Sequence, residues 1–136
     1  MGKINWGRVF LGGLLCGLVA NVLGIPGWLL YSEELRAAIA PERPFLTPEL
    51  MAIAITVFFV LGIVTIWLYA AIRPRYGPGP KTAAIAGFAV WLIVILADAI
   101  WVSAVRVPIP LAAKAVGGYL VISVVATVVG AWPYKE

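Results

Sequence analysis

The sequence predicts an all-α integral membrane protein, a single domain of four transmembrane helices arranged as two hairpins. Three observations predict it. The 136 residues are 63% hydrophobic, with a mean hydropathy of +1.04. Only 12% are charged, about half the share carried by a soluble domain. The apolar residues arrive in four runs of about 20, the length a helix needs to cross the hydrocarbon core of a bilayer. Together these exclude a water-soluble hydrolase, a dinucleotide-binding enzyme or a nucleic-acid module.

The spans run over about 9–31, 50–72, 82–105 and 111–132. The first follows Lys3 and Arg8, but it is longer than the apolar region of a secretory signal, about 7 to 15 residues, and Leu18-Val19-Ala20 is a poor cleavage site, so it is expected to be retained. Within it, Gly24-Ile25-Pro26-Gly27 should bend or loosen the outer third of the helix. The connection 32–49 is acidic and Pro-rich, with Glu33, Glu34, Glu42 and Glu49. The connection 73–81 is basic, and Arg106 to Pro110 forms a tight Pro-containing turn.

Orientation follows from the cations. Lys3, Arg8, Arg73, Arg75, Lys81 and Lys135 fall on one side, against Arg36, Arg43, Arg106 and Lys114 on the other. The richer side is expected to face the cytoplasm, which puts both termini inside and the hairpin tips outside a multi-pass protein of the cytoplasmic membrane. Trp6, Trp67, Tyr69, Trp132 and Tyr134 then form an inner aromatic belt, Trp28, Tyr31 and Trp101 an outer one, and Trp91 alone lies deep. Trp67-Leu68-Tyr69 and Trp132-Pro133-Tyr134 echo one another, as a parallel duplication would produce; the independent choice of interfacial aromatics is the simpler explanation.

Chemistry is restricted by what is missing. There is no histidine and one cysteine, Cys16. Ser-His-Asp and Cys-His nucleophiles, imidazole-held metals and an intrachain disulfide are therefore excluded. No metal, cofactor or nucleic acid is expected. Tyr76-Gly77-Pro78-Gly79-Pro80-Lys81-Thr82 has a glycine-rich, Lys-Thr look, but Pro80 stands where a phosphate loop needs glycine, and no strand precedes it. Arg73, Arg75 and Lys81 are expected instead to anchor on anionic lipid headgroups.

Two groups of residues stand out. Gly12, Cys16, Ala20 and Gly24 recur every four residues in the first span, with Gly13, Gly17 and Asn21 in a second row beside them. Such a face lets another backbone approach closely, either within the chain or on a second polypeptide. A lesser version runs along the fourth span, through Ala113, Gly117, Gly118, Ser123, Ala126, Thr127 and Gly130. The second group is polar. Asp98 is the one acid inside a span, which is expensive without a partner. Tyr119, Thr56 and Asn21 lie at similar depths in the other spans, and the flexible stem of Lys114 can lower its ammonium toward Asp98.

The segments Asn5-Trp6-Gly7-Arg8, Trp67 to Thr82 (WLYAAIRPRYGPGPKT) and Gly130 to Glu136 (GAWPYKE) resemble those of a family of small, uncharacterised bacterial membrane proteins with four spans. The resemblance covers most of the chain and implies the fold; the family brings no established activity and no catalytic residues. By architecture alone the chain is also similar to small multidrug-resistance transporters, which have four short spans, dimerise and couple through one buried carboxylate. Their acid lies in the first span, whereas here that span carries Asn21 and the acid is in the third.

The expected function is non-enzymatic: an accessory or scaffold subunit of a larger membrane complex, its partners being membrane lipids and other subunits or a second copy. The alternative is a homodimeric proton-coupled transporter of small lipophilic cations, with Asp98 as the shared site.

Overall fold

The computed structural model describes residues 4–40 and 47–134. Lys3, Glu42, Arg43, Lys135 and Glu136, which entered the charge count and the terminal motif, lie outside the described residues. Four helices follow in order: α1 (Trp6–Ile39), α2 (Pro48–Tyr76), α3 (Pro80–Ala104) and α4 (Ile109–Ala131). Each is long and apolar enough to cross a membrane.

The helix ends follow local chemistry. The Asn5 side chain accepts from the Arg8 backbone N–H at 3.2 Å, and Thr47 from that of Leu50 at 3.2 Å; each satisfies one of the donors left open at a helix start. Proline occupies the first turn of α2, α3 and α4, where its missing N–H costs nothing. Gly77 and Gly79 take positive φ angles of 83° and 128° in the turn between α2 and α3. The α3 end is a left-handed cap centred on Arg106 (φ 57°), with the Val107 N–H donating to Val102 O and the Arg106 N–H to Ser103 O.

α1 departs from expectation. Its 34 residues extend about 51 Å, well beyond a hydrocarbon core of about 30 Å. Residues 32–39, expected to belong to the connection, continue the helix. The physical reason is a change of pattern: Glu33 and Glu34 face outward while Ser32, Leu35 and Ile39 form a stripe at helical spacing. Leu35 is buried against Val107 and Leu111 at the far end of the bundle. Pro26 lies inside this continuous helix.

Successive contacts run antiparallel. α1 packs on α2 and α4, α3 packs on α4 and more sparingly on α2, and the backbones of α1 and α3 do not approach closely among the described residues. The small residues of α1 divide between two neighbours. A methyl group built on Gly13 would stand 2.5 Å from Ile63 Cα, and one on Gly17 2.7 Å from Phe59 Cα, so this row faces α2. One on Gly12 would overlap Gly130 O, while one on Gly130 would stand 2.5 Å from Cys16 Cβ, so the first row faces α4. The face that suggested a second polypeptide is thus occupied inside the chain. On α4, only the lower part of the expected small face packs closely: a methyl on Gly117 or Gly118 would meet nothing within 4 Å.

One end of the bundle is tied by tyrosines. Tyr69 and Tyr134 meet edge to face at 5.8 Å, and the Tyr69 hydroxyl accepts from the Gly79 N–H and that of Tyr134 from the Asn5 N–H, both at 3.3 Å. Both tyrosines are buried, so they are core partners rather than members of an interfacial belt. Their tryptophan companions Trp67 and Trp132 remain exposed. Arg73, expected as a lipid anchor, is half-buried with its guanidinium over the Tyr134 ring at 5.4 Å. Arg75 and Lys81 are exposed.

Candidate functional site

The helices do not pack evenly along their length. Every buried residue of α2 lies from Gly62 onward, and every buried residue of α3 at or before Val90. The two helices therefore close at the tyrosine end and part toward the end that carries Leu35. A cavity of about 330 Å³ occupies the parting, lined by all four helices. Val90, Trp91, Val94 and Asp98 bring one face of α3 to it. From α1 come Cys16, Ala20 and Trp28, and from α4 Tyr119, Ser123 and Thr127.

Asp98 lines this cavity, is solvent- or lipid-accessible, and makes no hydrogen bond or ion pair with any described residue. The Tyr119 phenol lines the same cavity. The Tyr119 ring lies 6.4 Å from that of Phe58, and the indoles of Trp28 and Trp91 complete an aromatic lining. Trp91 is fixed in place by donating from Nε1 to Val116 O at 3.0 Å. A lone carboxylate among electron-rich ring faces is chemistry suited to an organic cation, which such rings attract through their quadrupoles.

The other members of the expected polar layer go elsewhere. Lys114 does not reach Asp98: its ammonium pairs with Glu34 at 2.9 Å, because the extended α1 presents an acid nearer the surface. Thr56 is exposed on the opposite face of α2 and donates to Ala52 O at 2.8 Å. Asn21 is buried between α1 and α2, donating from Nδ2 to Gly17 O at 2.9 Å and to Ile55 O at 3.4 Å. It clamps two helices and does not line the cavity. Of the five polar residues, the structure brings together Asp98 and Tyr119.

Sequence reasoning missed Phe58, Trp28 and Trp91 as site residues. A signal existed for Trp91: with Val94 and Asp98 it follows the i, i+3, i+7 spacing that puts three side chains on one helix face. No family model, curated protein or solved structure matches the chain. Among the described residues, no cluster of three potential metal-ligating side chains occurs.

Proposed function

We propose that this small integral membrane protein binds lipophilic organic cations at Asp98 and exchanges them for a proton, with both termini on the cytoplasmic side of the cell membrane. The observation that carries the reading is a carboxylate with no partner among the described residues, lining a cavity between membrane-spanning helices to which Trp28, Phe58, Trp91 and Tyr119 also contribute. A charge is retained at such a depth when it has work to do. The cavity volume falls at the lower end of the range for small-molecule sites, about 300 to 1,000 Å³. One carboxylate can hold a proton or face a cation, so binding one displaces the other, and that competition is the minimal chemistry of exchange.

The accessory-subunit reading loses its main motive once the glycine face of α1 is taken up by α2 and α4. What favours it still is the distal half of α3, which buries no residue among those described and leaves room for a neighbour.

Transport in proteoliposomes separates the two. With an imposed pH gradient, the wild-type chain takes up tetraphenylphosphonium against its concentration gradient, and Asp98→Asn abolishes the uptake while circular dichroism and thermal unfolding are unchanged. Equal uptake by the Asn variant, or none by either protein, overturns the proposal.

A further inference from the structure

The cavity is chemically lopsided, and the lopsidedness specifies more of its occupant than a positive charge. Toward the tyrosine end every hydroxyl in the lining is already committed: Thr65 donates to Leu61 O at 2.6 Å, Ser123 to Gly87 O at 2.8 Å and Thr127 to Ser123 O at 2.6 Å. The Trp91 N–H is committed likewise. The polar atoms of the lining left without a partner among the described residues are the Asp98 carboxylate and the Tyr119 hydroxyl, both nearer the distal end. From Asp98 down to Val90 is about 12 Å along α3, all of it apolar lining.

The remaining wall is the α2 face made by Leu50, Ile53, Ala54, Val57 and Leu61, ending at Thr65 about 22 Å away. Ile53 and Val57 on this wall stay 59% and 46% exposed, because α3 does not close over them. The parting between α2 and α3 thus opens sideways, between two helices long and apolar enough to cross a membrane. The apolar groove below Asp98 is long enough to take a slender chain beside a head at the carboxylate.

Resting on the cation reading above, we infer that the ligand is a single-chain cationic amphiphile drawn laterally from the bilayer between α2 and α3, its head at Asp98 and Tyr119 and its alkyl chain along the groove toward Thr65. The charge complement comes from Asp98, and the length and dryness of the groove below it call for a chain. Because lipid is as apolar as the groove, the chain gains little from burial itself. Selection therefore rests on having a cationic head and a slender tail together.

Native mass spectrometry of the full chain in a non-ionic detergent tests this with four probes: decyltrimethylammonium, tetramethylammonium, decyl sulfate and decanol. Retention is compared at equal micelle-bound concentration of each decyl probe, which isolates the head; tetramethylammonium isolates the tail. The expected result is one decyltrimethylammonium per chain, retained at least tenfold more strongly than any other probe, and lost in Asp98→Asn. Ala54→Trp, which fills the groove and leaves Asp98 in place, should lower retention of decyltrimethylammonium alone. If tetramethylammonium, or tetraphenylphosphonium as a second cation, binds at Asp98 while decyltrimethylammonium binds no better than tetramethylammonium, the amphiphile inference is overturned and the cation reading stands. If decyl sulfate and decanol are retained as well as the cation, or if no cation is retained, both are overturned. The wild-type comparison decides the matter even if the tryptophan variant does not fold.

Discussion

Gly62→Ala and Gly117→Ala make the same chemical change on two helices, and the packing predicts opposite signs. A methyl on Gly62 would overlap Gly13 O and stand 2.6 Å from Gly17 N and 3.0 Å from Gly17 Cα. All three are backbone atoms and cannot rotate away. Restoring an ordinary carbon contact of about 3.5 to 4.0 Å moves α1 and α2 apart by about 1 Å, which forfeits a quarter to a half of each dispersion well along the contact. Overpacking of this kind costs about 1 to 3 kcal/mol, offset by at most about 1 kcal/mol from the better helix propensity of alanine. Three backbone contacts that cannot yield put the cost in the upper part of that range, about 2 to 3 kcal/mol, so the net loss is about 1 to 2 kcal/mol. A methyl on Gly117 meets no atom within 4 Å, so only the propensity gain remains, at most about 1 kcal/mol. Reversible unfolding in mixed micelles, followed by tryptophan fluorescence and helical circular dichroism, should put the variants on either side of wild type. Equal stability of Gly62→Ala and wild type, or destabilisation of both variants, would refute the interlocked α1–α2 contact.

Two further substitutions check where the structure departs from the sequence reading. Lys114→Ala should cost no more than about 0.5 kcal/mol, because its pair with Glu34 is exposed, the side chains being 66% and 52% accessible; a loss of about 3 to 5 kcal/mol in the same unfolding assay would mean that Lys114 neutralises a buried charge. Leu35→Ala should cost about 2 to 4 kcal/mol through the cavity it leaves against Val107 and Leu111. A change below about 0.5 kcal/mol would indicate a solvated connection at that position instead of a packed helix.

The four helices were legible because each carries a run of apolar residues longer than any soluble core requires, bounded by proline, glycine or charge. The close contacts of Gly12, Gly13 and Gly17 were legible as a small-residue face, though not the neighbours they would meet. Spacing along one helix says nothing of how its partners are rotated. The same ignorance of rotation undid the polar layer: Thr56 shares a depth with Asp98, yet its helix turns it outward. Lys114 was misplaced for a different reason. A reading that ends the first span at the first acids cannot foresee that Glu34 rides on two further turns of helix. The cavity itself was invisible, since it arises from α2 and α3 diverging, a property of the assembled bundle.

The most direct test is equilibrium binding of tetraphenylphosphonium to the purified chain in lipid nanodiscs, measured by quenching of intrinsic tryptophan fluorescence over a range of pH. The wild-type chain should bind saturably, one per chain. In the proposed exchange protons and the cation compete for one site, so affinity should rise with pH and that dependence should be lost in Asp98→Asn. Asp98→Asn should remove the saturable component, with a loss of at least tenfold, about 1.4 kcal/mol. Binding that is independent of pH and unchanged in Asp98→Asn would contradict the assignment of Asp98 as the cation site.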